Sequence, residues 1–359
     1  MKILHYVDEN RLAWGETWIQ LIKELTAMGV ENFVVCKPGG TLEGRLQEEG
    51  LAHDTCKPLV ASLPFTAPKL GKIIERVKPD LIHTRLSSAA RIGGFWGKKK
   101  NVPVISTIDK YPKLYYYKNS DYIIPCSTEV ASHMKRVGFP EERMQVVHNP
   151  VDINRYVFDE AVRNEKRREL GVENKKVILS AGRFVDWKGF EYSIKAYAEA
   201  LSAKPELAET TALWLVGGGP QKEFYEKTAE ECGISDRISF FPFAQDIRPW
   251  LWSADLFVQP SYTPEGFSLM LLESMAAQLP AVATNIGGTL DIIKDNENGW
   301  LMPVKDHTEL AGTLIKVLSD DELLKRVSLQ AEKDASWFNT ERIAAETIDL
   351  YKKVLSLKK

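Results

Sequence analysis

The sequence predicts an α/β protein built as two doubly wound parallel-sheet domains. Three observations predict it. The chain has 359 residues, more than one hydrophobic core usually serves. Short apolar runs alternate with longer amphipathic stretches along nearly all of it, the βαβ rhythm of a parallel sheet. That rhythm breaks once, over residues 149–175, and then resumes.

In the first half, buried strands are expected at 2–7, 32–36, 80–83, 103–107, 122–126 and 144–148. Trp18, Ile19, Ile22 and Leu25 recur at helical spacing, and Gly29 closes that helix. The segment after Asn149 carries NPVD and then a charged stretch without strand pattern. It reads as a connection and the lead-in helix of a second domain. Further strands are expected at 177–182, 212–217, 238–243, 256–261, 280–284 and 299–303. The expected division is 1–153, then 154–335, then a C-terminal helix over 336–359 that returns to the first domain. Sheets of this kind bind ligands at the carboxyl ends of their strands, and two facing sheets would put the site in the cleft between them.

Composition narrows the function classes. Hydrophobic residues make up 44% and charged residues 27%, as in an ordinary globular protein. A net charge of -2 leaves no basic excess for nucleic acid. Cys36, Cys56, Cys126 and Cys232 show no C-x-x-C spacing, so neither a zinc site nor a redox pair is expected, and reduced thiols suit a cytoplasmic setting. MKILHYVDEN reads as a first strand and not a leader, and no apolar run reaches 18 residues.

Three motifs carry chemistry. The first is PSYTPEGFSLMLLESMAAQLPAVATNIGG, 260–288. Gly266 lets a backbone approach a ligand closely, and the N–H groups of Phe267, Ser268 and Leu269 at a helix start make an anion site. Glu273 can accept hydrogen bonds from ribose hydroxyls, and Glu265, before the helix, can meet a sugar ring. The plainer reading makes Glu265 an electrostatic cap and Glu273 a solvated face. The second is SAGRFVDWKGF, 180–190, where Gly182 ends a strand and Arg183 and Lys188 share the following loop. Two cations there suit a diphosphate leaving group, whose charge grows as its bond to the sugar breaks; the plainer reading is two surface cations on a turn. The third is VGGGP, 216–220, a strand-to-helix turn with Pro220 suited to a first helical turn. It fails the G-x-G-x-x-G fingerprint, because Lys222 stands where the third glycine would be, so nicotinamide chemistry is disfavoured.

In order and spacing these motifs resemble the retaining glycosyltransferases of family 4, with the GT-B fold of two Rossmann-like domains. The family's G-R-x-x-x-x-K-G, V-G-x-G-P, E-x7-E and following G-G are all present, and NPVD (149–152) resembles its N-G-V-D with Pro150 for glycine. The resemblance is close over residues 145–305 and looser before them. PDLIHTRLSS resembles P-D-x-x-H-x-H with Arg85 at the second histidine, PVISTIDKY puts Asp109 where a histidine often stands, and AWGETW has the single Gly15 for a glycine pair.

The resemblance implies transfer with retention from a nucleotide diphosphate sugar, UDP-sugar favoured over GDP-sugar, to a glycan or lipid-linked acceptor in surface polysaccharide or lipopolysaccharide synthesis. It implies catalytic roles for Asp109, Arg183, Lys188 and Glu265. It implies donor binding by Gly15, Gly182, Gly218, Phe243, Gly266, Phe267, Ser268, Leu269 and Glu273. No D-x-D triplet occurs, so no cofactor and no metal bound by that motif are expected, with Arg183 and Lys188 as the charge clamp. Asp109 would contact the donor sugar or the acceptor hydroxyl; its plainer reading is a strand-end cap. His83, after an apolar run, reads as a satisfied core histidine, and the other five histidines show no ligand spacing.

Between Arg91 and Lys118 seven cations face one acid, Asp109, with Trp96 and Tyr111, Tyr115, Tyr116 and Tyr117 interleaved. That mix suits peripheral contact with an anionic membrane on its cytoplasmic face; the plainer reading is a solvated helix face over core tyrosines. Two further readings stay open: an enzyme with a small soluble acceptor, of sucrose- or trehalose-synthase type, and a catalytically silent module that binds nucleotide sugar.

Overall fold

The computed structural model describes residues 1–11, 15–60 and 63–357 and contains two six-stranded parallel sheets. One compact unit comprises Met1–Asp152 with Phe338–Lys359, the other Ile153–Trp337. The first sheet holds β1 (Lys2–Val7), β2 (Glu31–Cys36), β3 (His53–Thr55), β4 (Leu81–Arg85), β5 (Val104–Ile108) and β6 (Tyr122–Pro125) in the order β3-β2-β1-β4-β5-β6. The second holds β7 (Lys176–Arg183), β8 (Thr211–Gly218), β9 (Ile238–Phe241), β10 (Leu256–Gln259), β11 (Ala281–Thr284) and β12 (Trp300–Met302) in the order β12-β11-β10-β7-β8-β9. Counted from its own first strand, each sheet runs 3-2-1-4-5-6, the Rossmann winding. The strand order therefore reverses between β1 and β4 in one unit and between β7 and β10 in the other.

The central strands are buried on both faces. Every residue of β4, β5, β6, β10 and β11 is buried, as parallel strands covered by helices must be. The helix Gly15–Ala27 buries Trp18, Ile19, Ile22 and Leu25, and Gly29 follows it at φ 87°. The last helix, Thr340–Ser356, is capped by the Asn339 side chain, which accepts from the Arg342 amide. Its Ile343, Leu350, Tyr351 and Val354 share a core with Ile3, Leu25 and Ile105, which ties the chain end to the first unit.

Two expectations are corrected. Residues 144–148 form no strand. They run beside β6 and make a single bridge, Ile123 to Met144, with the Gln145 amide donating to Ile123 and the Val147 amide to Pro125. Pro125 has no N–H to return, so the ladder cannot continue. Conversely β3 was not expected, because its three residues, His-Asp-Thr, carry no apolar signal.

Candidate active site

In the second unit the loops at the reversal between β7 and β10 are drawn together by glycines. β7 ends in Gly182 and Arg183, a 3-10 turn follows over Asp186–Lys188, and Gly189 at φ 66° opens the helix Phe190–Ala203. A Cβ on Gly189 would lie 2.3 Å from the Pro260 carbonyl oxygen, so only glycine lets the loops after β7 and β10 touch. That contact brings Lys188 to Glu265: Nζ donates to Oε1 at 2.8 Å and to Oε2 at 3.0 Å. The Ser261 hydroxyl donates to Glu265 Oε1 at 2.7 Å. Both charged side chains are mostly buried, at 12% and 17% exposure. Arg183 is exposed at the strand end, and no carboxylate is within ion-pair reach of it among the described residues. A buried, compensated lysine–glutamate pair thus lies on the same strand-end loops as an exposed guanidinium.

The first two glycines of the triplet, Gly217 and Gly218, belong to strand, and Gly219 begins the turn. Gly182 pairs in register with Gly217, and Arg183 with Gly218. A Cβ on Gly217 would sit 1.9 Å from the Gly182 carbonyl oxygen, whereas Gly218 faces open space. Pro220 lies outside the next helix, Lys222–Glu231, whose N-cap is Gln221; the expectation of a proline in its first turn is corrected, because strand pairing carries β8 through Gly218.

Gly266 is clasped from behind. The Gly288 amide donates to the Glu265 carbonyl at 2.9 Å, and a Cβ on Gly288 would meet the Gly266 oxygen at 2.1 Å. Helix Leu269–Ala276 starts there with Ser268 as N-cap. The Ser268 hydroxyl accepts from the Leu271 amide and donates to Gln259 Oε1 at 2.5 Å, so that side chain is committed to the fold. The Phe267 side chain is buried, while the first-turn amides of Leu269 and its neighbour form the positive helix end. Phe243, just past β9, is 78% exposed.

Glu273 lies one turn into this helix. Burial pushes its carboxyl up to about 7, against the pull of the Tyr156 hydroxyl bonded to it and of nearby Arg155. Tyr156 comes from the 3-10 turn Ile153–Tyr156, and the Trp252 indole N–H donates to its carbonyl at 3.2 Å. Sequence reasoning missed Tyr156; its only local signal is a phenol placed four residues past Asp152.

In the first unit, Gly15 begins the first helix; residues 13 and 14 of AWGETW lie outside the described residues. Asp109 follows β5, and its carboxylate is engaged by Arg85, the last residue of β4. Nε donates to Oδ2 at 2.8 Å and Nη2 to Oδ1 at 2.6 Å. Arg85 Nη2 also donates to Asn149 Oδ1 at 2.8 Å. His83 is a satisfied core histidine, with Nδ1 2.6 Å from the Tyr351 hydroxyl and Nε2 2.7 Å from Thr107 Oγ1. Burial holds it well below the usual imidazole range and pushes His5 down to about 4, so both are neutral.

The basic stretch divides. Lys98, Lys99 and Lys100 end the helix Ser87–Lys100, where cations suit the helix dipole, and Lys100 pairs with Glu75. Tyr117 is core and Tyr115 is exposed beneath Arg91. What the sequence reading missed stands beside that helix: Leu59, Val60, Leu63 and Phe65 are all exposed, Phe65 by 60%. The Trp96 indole donates to the Pro64 carbonyl at 3.0 Å and joins this apolar segment to the lysine helix. A hollow of about 370 Å³ near Arg163, Lys176 and Asp255 lies at the opposite, amino ends of the second sheet's strands, and those charges are ion-paired. Among the described residues no cluster of three His, Cys, Asp or Glu could hold a metal, and no helix is long and apolar enough to cross a membrane.

Comparison with known proteins agrees in both units. Residues 162–334 match the family model of glycosyl transferases group 1, and residues 15–155 that of glycosyltransferase family 4. The chain is 26% identical to the lipopolysaccharide core biosynthesis glycosyltransferase LpsE of Rhizobium meliloti, over 91% of this chain and 92% of that one. It is 31% identical to a D-inositol 3-phosphate glycosyltransferase of Nocardioides, over 59% of this chain and 48% of that one. The crystal structure of Anabaena HepE in complex with UDP shares the fold, with a TM-score of 0.87 at 22% identity over 98% of this chain and 100% of that one. With both halves matched by glycosyltransferase family models and both sheets wound alike, the chain belongs to the GT-B glycosyltransferases and is a transferase acting on sugars.

Proposed function

We propose that the enzyme moves a hexose-type sugar from UDP-sugar to a glycan or lipid-linked acceptor, with retention and without a metal, in surface polysaccharide or lipopolysaccharide synthesis. The observation that carries this reading is the Lys188–Glu265 pair beside exposed Arg183 at the strand reversal of the second sheet. Arg183 and Lys188 neutralise the diphosphate as the bond from the sugar C1 to its oxygen breaks. Glu265, held by Lys188 and Ser261, orients the sugar. Glu273, oriented by Tyr156, accepts from the ribose, and the base lies near Phe243. The acceptor oxygen bonds to C1 on the face the diphosphate leaves, and its proton passes to the leaving phosphate oxygen. The transition state is oxocarbenium-like. Asp109 receives a hydroxyl of the sugar or the acceptor.

The name of the LpsE relative supports a lipopolysaccharide-type acceptor. Exposed Leu59, Val60, Leu63 and Phe65, joined through Trp96 to the helix that carries Lys98 and Lys99, support docking at the cytoplasmic face of an anionic membrane, where such an acceptor resides. The inositol-phosphate relative favours a second reading, a small soluble acceptor. The test is a thermal-shift panel of UDP, GDP, ADP and CMP, joined to turnover in excess EDTA. Ligand at about 100 times its Kd adds about 2.7 kcal/mol to folding stability, so UDP should give the largest rise in Tm. Transfer should survive chelation. No shift with any nucleotide, or loss of turnover that manganese or magnesium restores, contradicts the reading.

A further inference from the structure

We infer that Arg85 and Asn149 are positioning residues for Asp109, and that their neutral ion pair makes this corner a recognition point for an uncharged hydroxyl, selecting against phosphate. The inference rests on the transferase reading above, which gives Asp109 a hydroxyl to receive.

Geometry comes first. β4 and β5 are parallel neighbours with Arg85 opposite Thr107, so Asp109 stands two residues beyond Arg85 at the carboxyl ends of both strands. β4 is also one of the two strands flanking the order reversal of the first sheet, where ligands of such sheets bind. The Arg85 side chain is 9% exposed and that of Asp109 22%, so the guanidinium is sunk behind a carboxylate that reaches the surface. Asn149 is buried; it accepts from Arg85 and turns its Nδ2 toward Asp109 Oδ1 at 3.4 Å. The backbone carries a cost here as well. Leu86, next to Arg85, sits at φ 78° and ψ 148°, a region other residues than glycine rarely enter.

A buried ion pair of this kind is weak support for a fold, because well-packed apolar groups often serve as well. Its effect on chemistry is more definite. An ionised carboxylate has about four lone-pair positions and no proton to give. Arg85 takes two of them and Asn149 approaches a third, which leaves one on Oδ2 to accept from a ligand. With its charge matched by Arg85, the pair itself exerts no net attraction on a phosphate, and Asp109 repels one at contact. Two of the places where the first half departs from the pattern it resembles, Arg85 and Asp109, are thus one feature, an ion pair.

The test is a double-mutant cycle read with donor and acceptor kinetics. Asp109→Ala should lower kcat about 100-fold, and Arg85→Lys, which keeps the charge and loses the fork, about 10-fold. UDP affinity and Tm should stay near wild type in both. If Arg85 acts through Asp109, the double variant is no worse than Asp109→Ala. Asp109→Asn should uncover the guanidinium, so that inorganic phosphate inhibits it at least about 5-fold more tightly than wild type. Additive losses in the double variant, wild-type kcat in Arg85→Lys, or equal phosphate inhibition overturn the inference. A wild-type protein that binds neither UDP nor another of the panel's nucleotides overturns the donor reading, and the inference with it.

Discussion

The two units wind their sheets identically and use the reversal points differently. In the second unit an exposed Arg183 shares its loop with Lys188, which is paired to Glu265. In the first unit Arg85 is spent on Asp109. One end therefore presents an exposed guanidinium and the other an ion-paired one. An identical scaffold acquires a charge preference from a few strand-end residues, since each sheet's own backbone directs ligands to the same place.

The largest effect should break the cationic side of that contrast. Arg183→Ala or Lys188→Ala removes a charge-assisted phosphate contact of roughly 2–4 kcal/mol and should cut turnover by about two to three orders of magnitude. Lys188→Ala also removes the cation paired with the mostly buried Glu265 carboxylate, so it should be the more damaging of the two. Near-wild-type turnover in both variants would place the diphosphate elsewhere.

A smaller effect sharpens the other side, since the first unit also carries the exposed apolar segment and its lysines. Each lysine near an anionic bilayer contributes about 1 kcal/mol at modest salt, fading within a Debye length. Replacing Lys98 and Lys99 by serine should weaken co-sedimentation with anionic vesicles about 10-fold or more and leave UDP affinity unchanged. Phe65→Ser should weaken it further at high salt, where apolar insertion persists. Wild type that ignores anionic vesicles at low salt makes the soluble acceptor the better reading.

The contrast also explains what was legible in the sequence. The second unit's motifs are local: Arg183 and Lys188 lie on one loop, Glu265 and Glu273 on one loop and helix, so spacing alone exposes them. Their partners are not local. Lys188 meets Glu265 only because Gly189 lets two loops touch, and Tyr156 reaches Glu273 from an irregular turn far away in the chain. The Arg85–Asp109 pair depends on which strands are neighbours, and that order is not written in any short window. Strands rich in apolar residues announced themselves, whereas His53–Thr55 did not, and residues 144–148 announced a strand that Pro125 prevents. Leu59, Val60, Leu63 and Phe65 were passed over because exposure, not composition, sets them apart.

The central claim is that the two glutamates of the second unit divide the donor between them, Glu273 taking the nucleoside and Glu265 the sugar. Calorimetric titration of UDP into wild type, Glu273→Ala and Glu265→Ala measures this directly. Glu273→Ala should lose about 10-fold in affinity at pH 8, about 1.4 kcal/mol, while Glu265→Ala stays near wild type and fails in transfer. Because burial pushes the Glu273 carboxyl up to about 7, the wild type should itself lose affinity as pH falls through that value, and its advantage over Glu273→Ala should narrow. Equal losses of UDP affinity in the two variants, or a Glu273→Ala protein that binds UDP as wild type does at pH 8, would contradict the assignment.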